Sequence, residues 1–157
     1  MPDYASITHL RIDDIAPAFQ LYDQDGNIFK LGKKNHSKII LYFYPNDDSQ
    51  TCTKEACNFR DHFKLLENHG YQIVGVSHAD IISKKKFAVK YQLPFTLLSD
   101  PEYRICKLYG VFGDKFFMGK MIQTIHRITF VISKNGKIEK IIYPVKSGNA
   151  AFQILEI

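Results

Sequence analysis

Ile39-Ile-Leu-Tyr-Phe-Tyr44 is an unbroken apolar run, and Pro45-Asn-Asp-Asp-Ser49-Gln-Thr-Cys52-Thr-Lys-Glu-Ala-Cys57 follows it directly. Six apolar residues without alternation predict a strand buried on both faces, the kind found inside a sheet covered by helices. Pro45 stops it by removing a ladder N–H. From Thr53 to Asn68 the period changes from strand to helix: Ala56, Phe59, Phe63 and Leu66 recur at spacings of three and four, with Cys52 on the same stripe. His69-Gly70 closes that helix.

The same alternation of strand and helix extends outward. Tyr71–Ser77 reads as a second central strand, Ile82–Tyr91 as a helix, Phe95–Leu98 as a short strand, and Glu102–Tyr109 as a helix started by Pro101. Upstream, Phe19–Tyr22 and Ile28–Leu31 form a hairpin turned at Asp25-Gly26, and Lys33–Lys38 is a polar loop. Downstream, Gly110–Thr124 reads as a long loop. Ile125–Ile132 and Ile138–Tyr143 pair around Asn135-Gly136, and Ala150–Ile157 forms a last helix. The order predicts an α/β layered fold, a mixed central sheet flanked by helices with an N-terminal hairpin, as one domain over 1–157. Sites in such sheets gather at the carboxyl ends of strands, which directs attention to Pro45–Thr51.

Composition narrows the class. The chain has 157 residues, 45% hydrophobic and 24% charged, enough for a buried core without disulfide staples and too apolar for general disorder. The net charge of +5 is dispersed; the densest group, Lys84-Lys85-Lys86, falls in a helix expected to be exposed. No face interleaves basic and aromatic residues, so no nucleic-acid partner is expected. The apolar runs are too short to span a bilayer, and the N-terminus lacks a basic-then-apolar signal segment, so no membrane association is expected and a cytoplasmic location is. Three cysteines without a secretory context suit a reducing compartment, where a close pair is more often catalytic or metal-binding than structural. Histidines 62, 69, 78 and 126 have no ligand spacing with the cysteines, which argues against zinc.

Cys52 falls where a helix begins, and a helix N-terminus stabilises a thiolate through its dipole and unpaired N–H groups. Cys57 lies inside that helix. Residues five apart differ by about 140° around the axis and about 8.6 Å between Cα atoms, whereas a disulfide needs about 7 Å or less. A bond between them requires the first turns to unwind. Taken alone, a cysteine on an apolar helix stripe is more often a core thiol, and Cys57 reads as readily as an unused one.

The residues Pro45-x-x-x-Ser49-x-x-Cys52 resemble the Pro-x-x-x-Thr/Ser-x-x-Cys signature of the peroxiredoxins. Phe43-Tyr44-Pro45, Cys52-Thr-Lys-Glu-Ala-Cys57 and Phe59-Arg60-Asp61 resemble the bacterioferritin comigratory, or Q-type, branch in particular. So do Ala16-Pro17-Ala-Phe19-Gln-Leu21, Tyr109-Gly110-Val111 and Arg127-x-Thr129-Phe130-Val131-Ile132. The resemblance covers nearly the whole chain. It implies a thioredoxin-like fold and a thiol peroxidase acting on hydrogen peroxide and organic hydroperoxides without metal, haem or flavin. Cys52 would attack, Ser49 would hold the peroxide oxygens, Arg127 would supply a cation, and Pro45 would shape and shield the loop. Cys57 would resolve the sulfenic acid, and thioredoxin or a glutaredoxin-type protein would recycle the disulfide. Resolution within one chain predicts a monomer.

Two departures stand in the signature loop: Gln50-Thr51 replaces the usual Pro-Gly, and Ser49 replaces the commoner Thr. Cys106, in the helix beside Ile105 and Tyr109, reads as a structural thiol, with a minor alternative as a resolving residue. Glu55 reads as a helix-start charge able to reach Arg127, and Phe112, Phe116 and Phe117 as packing residues, some of them facing the peroxide. A thioredoxin-type disulfide reductase would want Cys-x-x-Cys. A redox-sensing or chaperone-like binding module switched by the cysteine pair is the alternative from another class.

Overall fold

The computed structural model describes residues 3–157. Its strands are β1 (Phe19–Asp23), β2 (Ile28–Leu31), β3 (Lys38–Phe43), β4 (Tyr71–Ser77), β5 (Thr96–Ser99), β6 (Phe112–Phe117), β7 (Lys120–Ile125), β8 (Ile128–Ile132) and β9 (Ile138–Ile142). The α-helices are α1 (Gln50–Asp61), α2 (Phe63–Asn68), α3 (Ile81–Lys90), α4 (Arg104–Leu108) and α5 (Ala150–Leu155).

Seven strands form one mixed sheet in the order β2-β1-β5-β4-β3-β8-β9. β3, β4 and β5 are parallel, joined through α1–α2 and through α3; β8 joins β3 antiparallel and β1 joins β5 antiparallel. The apolar run sorts by pleat. Ile40 and Tyr42 face α1, α3 and α5, packing with Ala56, Phe59, Phe87, Ala151 and Ile154. Leu41 and Phe43 face the other side, against Ile105, Cys106, Tyr109 and Phe130. Both faces are covered, which is why the strand can be apolar throughout.

Four expectations need correction. The segment Gly110–Thr124 is a hairpin, β6 paired with β7 from Phe112↔Ile125 to Phe117↔Lys120. Its turn places Met118 and Gly119 at φ 50° and 81°, the paired left-handed geometry of a two-residue hairpin turn. Most of the hairpin is exposed, so no core face imprints alternation on its sequence. The strand expected over Ile125–Ile132 is broken at His126-Arg127, where the chain passes from that hairpin into the sheet. The helix expected over Thr53–Asn68 starts earlier and bends at His62, whose ring engages the Asn58 carbonyl at 2.8 Å and meets Phe152 edge-on. Last, Lys84 is not on an exposed face: its side chain is fully buried.

Candidate active site

β3 ends beside β4 and β8, so its following loop opens onto the carboxyl ends of the parallel strands. Ser49 caps α1 from extended backbone (φ −76°, ψ 156°), its hydroxyl oxygen accepting the Cys52 N–H at 3.3 Å. The hydroxyl proton stays free to donate. Cys52 is therefore the third residue of α1, inside the first turn, and its side chain is buried. No acidic residue lies in that turn, so its positive end is not neutralised within the helix.

Arg127 immediately precedes β8, and the Phe43↔Ile128 pairing of β8 with β3 brings it alongside Tyr44 and Pro45. Its Nη2 donates to Cys52 Sγ at 3.2 Å, and its Nη1 donates to Glu55 Oε1 at 2.7 Å. Burial disfavours the guanidinium charge, but Glu55 and Cys52 outweigh it and hold Arg127 above its ordinary value. Glu55 is fully buried, with its second oxygen unpartnered. Burial exceeds the help from Arg127 and raises its pKa to about 7.

Tyr42 lies against the same group. Burial first, then the charges of Glu55 and Cys52, raises its phenol well above the ordinary range. Its ring fits because residue 75 is glycine: a Cβ there would sit 2.8 Å from the ring.

Pro45, Arg127, Phe117, Ile122 and Ile125 line a cleft of ≈ 140 Å³ between the loop and the β6–β7 hairpin. That is room for several water-sized groups. A larger depression of ≈ 710 Å³ beside α3 is lined by Ile81, Ile82 and Val89 and by none of the cysteines. Arg127 links the small cleft to Cys52, which, like Ser49, does not itself line it.

All three cysteines are free thiols. Cys57 is half-buried within the intact α1; burial raises its thiol, with Arg60 opposing and Asp61 adding to the effect. Cys106 is buried against α4's surroundings, and burial followed by the nearby Asp100 pushes its thiol far above the ordinary range. It is poorly placed to react. Among the described residues no group of three or more His, Cys, Asp or Glu is placed to hold a metal ion.

A fit to known sequences agrees with this geometry. Residues 12–141 match the AhpC/TSA family. Peroxiredoxin Bcp of Escherichia coli (strain K12) is 41% identical over 140 residues, spanning 89% of this chain and 90% of that protein. The chain belongs to the AhpC/TSA family, among its Bcp-type peroxiredoxins. The chloroplastic peroxiredoxin Q of Oryza sativa subsp. japonica is 42% identical over 126 residues, 80% of this peroxiredoxin and 56% of the rice protein. Among solved structures, peroxidoxin BcpB from Mycobacterium tuberculosis superposes with a TM-score of 0.82 at 30% identity, covering 94% of this chain and 96% of that one. The Xanthomonas campestris bacterioferritin comigratory protein, studied for its alkyl peroxide reduction activity, superposes with a TM-score of 0.82 at 26% identity, covering 95% of each chain. This peroxiredoxin is thus a thioredoxin-fold thiol peroxidase. Among the described residues no helix is long and apolar enough to cross a membrane.

The sequence-expected residues Pro45, Ser49, Cys52 and Arg127 come together here, and Cys57 stands one and a half turns along the same helix. Sequence reasoning missed a second cluster behind the loop. Asp47 accepts from Lys84 Nζ at 2.8 Å, from Ser83 Oγ at 2.6 Å and from the Tyr44 hydroxyl at 2.7 Å. Periodicity carries the signal, since Lys84 shares the buried stripe of α3 with Phe87 and Ala88.

Proposed function

We propose that this peroxiredoxin reduces hydrogen peroxide and organic hydroperoxides at Cys52, resolves with Cys57, and is recycled by a thioredoxin- or glutaredoxin-type dithiol. The observation that carries the reading is the Arg127 Nη2 donor 3.2 Å from Cys52 Sγ at the first turn of α1. A cation and a helix N-terminus together favour the thiolate, which is the nucleophile.

The thiolate attacks one peroxide oxygen. An S–O bond forms, the O–O bond breaks, and the leaving alkoxide or hydroxide takes a proton to depart as alcohol or water. The Ser49 hydroxyl and Arg127 orient the peroxide, and Pro45 with the hairpin keeps bulk water away. The product is a Cys52 sulfenic acid. Once α1 unwinds, the Cys57 sulfur attacks the Cys52 sulfur, a disulfide forms and water leaves. An external dithiol reduces that bond and becomes a disulfide itself. Exposure of Cys57 relieves the burial that raises its thiol, so unwinding both brings it near and makes it a better nucleophile. The chain acts as one domain and, with resolution inside it, as a monomer in the cytoplasm.

Turnover of hydrogen peroxide with thioredoxin, thioredoxin reductase and NADPH tests this. Cys52→Ser is expected to lose turnover entirely. Cys57→Ser is expected to give a single turnover and leave a trappable sulfenic acid. Normal turnover by Cys52→Ser would sink the reading. A protein oxidised once and never recycled by any dithiol would fit a redox switch instead.

A further inference from the structure

The loop carrying Pro45 and Ser49 is tied to β4 and α3 as well as to the helix it precedes. Asn46 meets the His78 ring nitrogen Nε2 at 3.2 Å. Asp47 accepts from Lys84, Ser83 and Tyr44, and from Ser77 Oγ at 3.4 Å. Asp48, in left-handed backbone at φ 57°, accepts from Lys90 at 2.7 Å and from the Tyr91 hydroxyl at 2.6 Å. The two acidic residues differ in surroundings. The Asp48 pair is exposed, while the Lys84 and Asp47 side chains are 0% and 6% accessible. Lys84 also donates to Ser77 Oγ and sits 4.9 Å from the centroid of the Tyr44 ring.

An ion pair with so many partners fixes both oxygens of Asp47 and hence the loop's path. Apolar residues of similar volume often stabilise as well as a buried ion pair or better, so stability is a weak reason for placing one here. What it supplies is position: Asp47 is two residues before the Ser49 cap and two after Pro45. We infer that Lys84, acting through Asp47, is a positioning residue for the peroxide step, holding the Pro45–Ser49 loop in register over Cys52. Burial opposes both charges, and mutual attraction with the hydroxyl donors keeps Asp47 below the ordinary carboxylate range. Displacement of such a loop by about 1 Å costs on the order of a hundredfold in an aligned displacement.

The inference rests on the peroxidase reading, and two reactions of Cys52 separate them. Hydrogen peroxide needs the aligned loop; alkylation by iodoacetamide needs only a reachable thiolate. The rate constants for both are measured in the full chain, in Lys84→Met, and in Lys84→Met/Asp47→Asn, which removes both buried charges and protects the test if the single variant fails to fold. The folded variants are expected to lose about tenfold or more in peroxide rate with alkylation of the buried Cys52 no slower than in the unaltered chain. A peroxide-to-alkylation ratio equal to that of the unaltered chain in a folded variant, or equal losses in the two reactions, would overturn the role of Lys84. If the unaltered chain reacts no faster with peroxide than with iodoacetamide, the peroxidase reading itself fails.

Discussion

At Arg127 one guanidinium serves two acceptors of different kinds, the Glu55 carboxyl at 2.7 Å and the Cys52 sulfur at 3.2 Å. Glu55 brings a buried charge that Arg127 does not fully offset, and its carboxyl titrates at about 7. A carboxyl whose pKa is raised by folding binds its proton more tightly in the folded state. Its contribution to stability is present in full below the unfolded carboxylate range and is lost as pH rises through about 7. In a Cys52→Ser background, which removes the neighbouring sulfur, urea unfolding of the Glu55 protein and of Glu55→Gln is compared across pH. The Glu55 protein is expected to lose roughly 2–3 kcal/mol relative to the Gln variant between about pH 4 and 8; a difference that stays flat refutes the assignment. That Cys52, Pro45, Ser49 and Arg127 lie together was legible because a specific motif and the family resemblance carry them. That Glu55 reaches Arg127 was legible too, but the full burial of Glu55 and Lys84 was not, because a charge is by default assigned to solvent. Yet Cys52, Glu55, Ala56 and Phe59, and likewise Lys84, Phe87 and Ala88, each trace one buried helical stripe.

At the scale of the element, the proposed cycle needs α1 folded for the attack by Cys52 and its first turns unwound for the disulfide. The structure sets the bounds of that change. Upstream, the loop through Asp48 is held by α3 and β4. Downstream, the Asn58 side chain donates to the Gly148 carbonyl at 2.8 Å and accepts the Ala151 N–H at 2.9 Å, and Phe59 is buried. Between these anchors lie two β-branched threonines, Thr51 and Thr53, and the first turn holds no acidic residue that would complement the dipole. Hydrogen exchange is expected to show amides 52–57 protected in the reduced protein and exchanging at least about a hundredfold faster after one equivalent of peroxide, with those beyond Asn58 unchanged. Dithiothreitol should restore protection. Retained protection in protein that mass spectrometry shows to carry a Cys52–Cys57 disulfide would contradict the mechanism. The existence of α1 and its apolar stripe was readable from period alone. Its start at Gln50 was not, since Ser49 declares itself a cap only when its hydroxyl meets the Cys52 N–H. Nor was the β6–β7 hairpin, which buries too little to leave a pattern.

That hairpin matters at the scale of the whole molecule, because it closes the site from outside the sheet. The layered core was legible, since β3, β4 and β8 bury both faces and their apolar runs say so. The wall of the cleft is an addition to that core. Phe117 and Ile122 come from the hairpin together with Lys115, while Pro45 follows β3 and Arg127 precedes β8, so the cleft joins a hairpin wall to the edge of the sheet. In the proposed reaction a peroxide group held at Arg127 would leave an alkyl substituent toward Phe117. Hydrogen peroxide has no such substituent and gains nothing there. Truncating Phe117 removes on the order of 50 Å² of apolar contact, about 1.2 kcal/mol or nearly tenfold in affinity. Phe117→Ala is therefore expected to lower the rate constant for cumene hydroperoxide by about five- to tenfold and that for hydrogen peroxide by less than about twofold. Equal losses for the two peroxides would mean that the hairpin supports the loop rather than the substrate, and no loss for either would detach it from the site altogether.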